Sequence, residues 1–238
     1  MAKTVIVTSG KGGVGKSTIC VALGKALAKL GKKVLLIELD SGLRCLDIML
    51  DIQDKVVYDL QDAVDTDFDP QKAIVSTDKF ENISLISAPY NGDFIITKEE
   101  ITRLKTRFSE YYDFIIMDSG AGFGENFTNV SDIADMALII VTPDAICVRD
   151  GRRASDMLYA SGVEEIRLII NKVNVDRYNA IQNFDTIIDD TSTQLIAIIP
   201  REDSLIMGYK PNSNALWQKT VNNLAFRLCD RNIELAII

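Results

Sequence analysis

Gly10-Lys11-Gly12-Gly13-Val14-Gly15-Lys16-Ser17 follows the apolar run Val5-Ile6-Val7 and opens into a helical pattern of Ile19, Val21-Ala22-Leu23, Ala26-Leu27 and Leu30. Strand, glycine-rich turn and helix, in that order, are the context in which GxxxxGK(S/T) is a phosphate-binding P-loop. The glycines let the backbone curl so that successive N–H groups point at one anion, and the helix N-terminus adds partial positive charge. In such a cradle Lys16 pairs with the β- and γ-phosphates, and the Ser17 hydroxyl is a Mg2+ ligand.

Working outward from this stretch, short and nearly continuous apolar runs recur between amphipathic segments. They are Val34–Ile37, Ile83–Ile86, Phe114–Met117, Leu138–Val141, Ile166–Ile170 and Leu195–Ile199. Strands apolar on both faces, each separated by a helix-length segment, specify a mostly parallel, doubly wound α/β sheet covered by helices on both sides. One domain over residues 1–238 is expected. The spacing predicts helices over about 17–30, 56–64, 98–111, 145–160, 177–188 and 214–230. The last of these, with Leu216-Trp217, Val221, Leu224-Ala225 and Leu228, reads as a helix packed on the sheet.

In a doubly wound sheet, ligands sit at the carboxyl ends of the strands. That filter selects Asp40, Asp118, Thr142-Pro143-Asp144, Asn171 and Pro200-Arg201-Glu202-Asp203. Asp118 ends an apolar strand as a Walker B acid does, at a depth suited to water-mediated Mg2+ coordination. The glycine-spaced Ser119–Gly124 that follows reads either as a loop sensing the γ-phosphate or as a plain connection. For Asp40 two readings stand: an acid that handles the attacking water, or a cap of the following turn. Asn171-Lys172-Val173-Asn174 has the place of a base-recognition tetrad. An amide at Asn174, where GTPases commonly carry an acid, favours adenine, because an amide both donates and accepts. Polar loop residues touching no ligand are the alternative.

Composition narrows the chemistry. The 47% hydrophobic and 25% charged fractions are those of an ordinary globular chain. A formal charge of −8 argues against a sequence-independent grip on nucleic acid or anionic lipid. The four cysteines, Cys20, Cys45, Cys147 and Cys229, form no CxxC pair and predict neither a zinc site nor a redox dithiol. Histidine is absent, so catalysis falls to carboxylates, lysines, hydroxyls, backbone amides and a bound ion. The first strand pattern starts almost at Met1, and no run reaches transmembrane length, so a cytoplasmic protein without a signal peptide is expected.

Lys11-Gly-Gly-Val-Gly-Lys16-Ser17 is more particular than a generic P-loop: it resembles the deviant Walker A motif, KGGVGK(S/T), of the ParA/MinD family of ATPases. Glu38-Leu-Asp40-Ser-Gly-Leu-Arg-Cys-Leu-Asp47 resembles that family's DxDxGLRNLD. Val148-Arg149-Asp150 and Ile199-Pro200-Arg201-Glu202-Asp203 also match, and the likeness runs to about position 210. The resemblance implies an ATP-dependent homodimer with the nucleotides at its interface and slow hydrolysis used as a positional switch in cell division. It implies catalytic roles for Lys11, Lys16 and Asp40, with Lys11 reaching the partner's phosphates as an arginine finger does. It implies nucleotide contacts from Gly10, Lys11, Gly12, Gly13, Val14, Gly15, Lys16, Ser17, Thr18, Asn171, Pro200, Arg201 and Asp203, with Mg2+ held at Ser17 and Asp118. Regulators of the MinC or MinE kind, and peripheral attachment to the inner face of the membrane, belong to the same implication.

Four departures bear on it. Glu38 stands for the usual Asp, and Cys45 for the Asn of GLRNLD. Gly120 replaces the proline common after the Walker B acid, as in related flagellar-number regulators. The end, Asn232–Ile238, lacks the basic amphipathic character of a membrane-targeting helix. Three other expectations compete: a related soluble positioning ATPase of the flagellar-number type, an accessory ATPase for metal insertion, which would want paired cysteines, and a module that holds nucleotide without turnover.

Overall fold

Strands with no polar face require a cover on each side, and the computed structural model supplies it. It describes residues 1–41, 43–174, 184–205 and 215–235. The strands are β1 (Lys3–Thr8), β2 (Val34–Glu38), β3 (Val75–Ser76), β4 (Ile83–Ile86), β5 (Phe114–Asp118), β6 (Met136–Val141), β7 (Glu165–Val173) and β8 (Gln194–Pro200). The helices are α1 (Lys16–Lys29), α2 (Leu46–Leu50), α3 (Leu60–Val64), α4 (Lys98–Phe108), α5 (Glu125–Ser131), α6 (Ala145–Ala160), α7 (Phe184–Thr191) and α8 (Ala215–Leu228). The strands form one sheet in the order β3-β4-β2-β5-β1-β6-β7-β8. All pairings are parallel except β3 with β4, where Val75 opposes Leu85. Every residue of β2, β4, β5 and β6 is buried, as strands covered on both faces must be.

The order carries the functional geometry. From β1 the chain crosses through α1 to β2 on one side, while β6, β7 and β8 lie on the other. Strand direction of travel therefore reverses beside β1, which makes its carboxyl end the topological switch point where α/β proteins bind ligands. The P-loop leaves β1 at that point.

Helix ends follow local capping chemistry. Asp59 accepts from the Gln61 and Asp62 amides while Asp62 accepts from the Asp59 amide, so α3 begins at Leu60 rather than near 56. Thr97 and Glu100 form the same reciprocal cap on α4. That helix stops at Phe108, earlier than the expected 111, because the chain turns there: Tyr111 and Tyr112 both donate to the Phe108 carbonyl. The helix expected over 177–188 is described only from Phe184 and runs on to Thr191; its expected start lies outside the described residues. Two short helices, α2 and α5, were not expected.

Candidate functional site

Between β1 and α1 the backbone takes conformations that a side chain would resist. Gly13 has φ 74° and Gly15 φ 103°. A β carbon on Gly15 would stand 2.5 Å from Asn171 Nδ2. That close approach has a purpose, since the Asn171 amide, buried on β7, donates to the Val14 carbonyl at 2.8 Å. Lys172, itself at φ 59°, donates to the Gly13 carbonyl at 2.6 Å. The loop is thus braced by β7 through its carbonyls. Gly15 caps α1 with no side-chain bond, and the first turn carries no acid. An open, positive helix start is what an anion requires. Lys16 is buried to 7% exposure, and its ammonium meets Ser9 Oγ at 3.2 Å.

A cleft of about 400 Å3 opens over this loop. Of the residues singled out from sequence, Gly12, Gly13, Gly15, Lys16, Ser17, Thr18, Asp40, Asn171, Pro200 and Arg201 line it. Gly10 packs beneath instead, with no room for a β carbon against Asp150 and Phe123. Val14 is buried at 2% exposure and contributes its carbonyl to Asn171. Asp203 is exposed and pairs with Arg201 at 2.7 Å. Glu202, selected with its strand end, and Lys172, named within the tetrad, also line it, and Leu43 and Trp217 join the wall without having been selected as ligand contacts. Trp217 was assigned to packing alone, and its helical spacing held no other signal.

Asp118 ends β5 fully buried, and neither carboxylate oxygen has a hydrogen-bond partner among the described residues. Burial pushes its carboxyl up to about 7, although the Ser17 hydroxyl and Cys20 thiol facing it oppose the rise without reaching hydrogen-bond geometry. A buried pair of orphaned oxygens beside a P-loop hydroxyl fits a hydrated divalent cation, which would restore the missing partners. Asp40 stands across the cleft; burial raises its carboxyl and Lys16 opposes the rise. A β carbon on Gly120 would come within 3.2 Å of Asp40 Oδ1, so the missing side chain at 120 leaves room for this carboxylate.

Two departures from the family pattern acquire local reasons. Glu38, at 0% exposure, accepts from the amides of Cys45 at 2.6 Å, Leu46 at 3.0 Å and Ala88 at 3.4 Å. It ties the start of α2 to the end of β4, a structural use of its charge. Burial pushes the Cys45 thiol up to about 12, so it stays protonated beside Ser17 and Glu38. Next to it, Arg44 and Asp47 form a buried pair at 2.6 Å, and the Arg44 guanidinium lies 4.5 Å from the Tyr90 ring centre.

Lys11 is not among the lining residues of the cleft and pairs with Asp144 at 3.2 Å. Asp144 also caps α6 through the Cys147 amide and accepts from Thr142 Oγ1 at 2.6 Å. Its partial burial acts upwards, but these donors and Lys11 hold the carboxyl below its ordinary value. Among the described residues, no group of three or more His, Cys, Asp or Glu side chains is arranged to hold a metal ion.

Comparison with known proteins fits this geometry. Residues 5–211 match the CobQ/CobB/MinD/ParA nucleotide binding domain. The septum site-determining protein MinD of Thermotoga maritima is 36% identical over 99% of this chain and 91% of its own length. That of Synechocystis is 34% identical over 98% and 90%. Among solved structures, the MinC:MinD cell division protein complex of Aquifex aeolicus superposes with a TM-score of 0.88, at 32% identity and 99% coverage of both chains. The fold also matches, at TM-score 0.79 and 24% identity, the Pyrococcus horikoshii MinD solved with Mg-ADP. The chain belongs to the CobQ/CobB/MinD/ParA family of nucleotide-binding domains and, within it, to the MinD-like P-loop ATPases.

Proposed function

We propose that residues 1–238 form one unit that binds ATP with Mg2+, pairs with a second copy across the nucleotide and hydrolyses ATP slowly, as a switch in placing the division septum. The observation that carries the reading is the buried, unpartnered carboxylate of Asp118 beneath Ser17. Such a charge is tolerated in a folded protein when a ligand supplies its counter-ion. In this reading Ser17 and Asp118 hold the ion, which supplies charge neutralisation for the leaving phosphate. Gly12 to Thr18 form the phosphate cradle, with Gly10 packed beneath it, and Lys16 holds the terminal phosphates. Asp40, whose Oδ1 would stand 3.2 Å from a β carbon on Gly120, orients the attacking water. Asn171, Pro200 and Arg201 face the nucleoside, with Asp203 fixing the Arg201 guanidinium.

Lys11 leaves Asp144 to reach the partner's phosphates, where a cation would stabilise the transition state from across the interface. The Aquifex relative solved with MinC supports a MinC-like protein as partner. Among the described residues no helix is long and apolar enough to cross a membrane. The localisation proposed is cytoplasmic, with peripheral engagement at the inner face of the membrane. Sedimentation with ATP against ADP tests the switch. The wild type should dimerise with ATP alone, Lys11→Ala should not, and Asp40→Ala should dimerise without releasing phosphate. A wild type that stays monomeric at high concentration with ATP refutes the dimer, and phosphate release unchanged in Asp40→Ala refutes the role of that acid. Liposomes co-sedimented in the same experiment decide whether lipid joins the ATP state.

A further inference from the structure

Trp217 is the one tryptophan of the sequence. It lies in the first turn of α8, a helix packed against both α1 and β8, and it forms part of the cleft wall together with Pro200, Arg201 and Glu202. The sheet order gives the cleft two unlike ends. Asp40 and Asp118 follow β2 and β5 on one side of the P-loop, whereas Pro200 and Trp217 belong to β8 and α8 on the other. With phosphates at the start of α1 and the water-handling acid on the β2 side, the base of a nucleotide extends towards β8.

We propose that Trp217 is the base-side wall of the site, its indole lying against the purine of bound ATP. This rests on the nucleotide reading above and adds a residue to it. Only 7% of Trp217 is exposed, so the ring is held by its surroundings and meets a base with the small part of its surface that lines the cleft, at little loss of freedom. An aromatic surface accepts any base, which separates nucleotides from bare polyphosphates more than one purine from another.

The single tryptophan also provides the test. Emission is recorded while Mg-ATP or inorganic tripolyphosphate is titrated, with binding of each measured in parallel by calorimetry. ATP should quench or shift the emission, while tripolyphosphate binds the P-loop with little change. Trp217→Leu should weaken ATP roughly tenfold, the lower part of the range for losing one base–aromatic contact, and leave tripolyphosphate affinity unchanged. Trp217→Phe should recover most of the loss. ATP that binds by calorimetry without altering emission overturns the proposal and leaves the nucleotide reading intact, as does Trp217→Leu with full ATP affinity. ATP that fails to bind at all overturns the nucleotide reading itself. If Trp217→Leu does not fold, the wild-type emission titration still decides.

Discussion

Asp118→Asn replaces a buried carboxylate with a neutral side chain of the same shape. In the folded protein that carboxyl is pushed from 3.8 up to about 7 by burial, so the native state holds its proton more tightly than the unfolded chain does. The sign follows: native stability owed to this group is complete below about 3.8 and is lost as pH rises through about 7. At about 1.36 kcal/mol per pH decade, the deficit is roughly 1–2 kcal/mol at pH 5 and roughly 4 kcal/mol at pH 8. Asn does not titrate, so the variant should exceed the wild type by about those amounts. Urea unfolding at the two pH values, with EDTA and without nucleotide, measures the gap. Adding Mg-ATP should then stabilise the wild type, whose charge gains a counter-ion, and leave the variant nearly unmoved. A variant no more stable than wild type at pH 8, or a gap equal at both pH values, would show that the carboxylate is not a buried uncompensated charge.

Asp144→Asn keeps a cap for α6 but removes the charge opposite Lys11. The pair is well exposed and worth about 0.2–1 kcal/mol in each of the two subunits, so ATP-dependent dimerisation should tighten about two- to thirtyfold in sedimentation equilibrium. Weaker dimerisation would mean that Asp144 does not restrain Lys11. Gly120→Ala places a β carbon 3.2 Å from Asp40 Oδ1 and should slow phosphate release several-fold while ATP affinity, read by calorimetry, stays put; an unaltered rate would show that Asp40 tolerates displacement. Arg44→Ala strands the Asp47 charge in the interior and should cost about 3–5 kcal/mol in urea unfolding. Adding Asp47→Asn should recover part of that loss, and a double variant no better than the single would contradict the account.

Elements that bury both faces were legible because the burial itself is written in the runs from Val34, Phe114 and Leu138. The two residues of β3 were not: Val75-Ser76 is too short to show a period, and its antiparallel pairing depends on β4 alone. Helices α2 and α5 escaped for a related reason, since five and seven residues hold barely two turns of pattern. At the site, residues with a motif of their own were found, and those placed by packing were not. Lys172 was named with its tetrad, but its bond to the Gly13 carbonyl, made through a left-handed backbone turn at the end of β7, is announced by no local pattern. Trp217 has the spacing of a core residue because it is one; only the folded arrangement of α1, α8 and β8 also brings it to the cleft wall.

The sheet order also dictates when, during synthesis, the cleft can exist. Its walls come from the P-loop near the beginning of the chain and from Pro200 and Trp217 some two hundred positions later, with β1 and β8 three strands apart. At translation speeds of about 5–20 residues per second, the phosphate cradle emerges about 10–40 s before the opposite wall. Until then the nascent protein has loop, ion-seeking acid and no far side. A nucleotide enclosed on both sides therefore needs β8 and α8 as well as the P-loop, and a ribosome stalled before α8 would carry a product whose phosphate cradle still lacks its far wall.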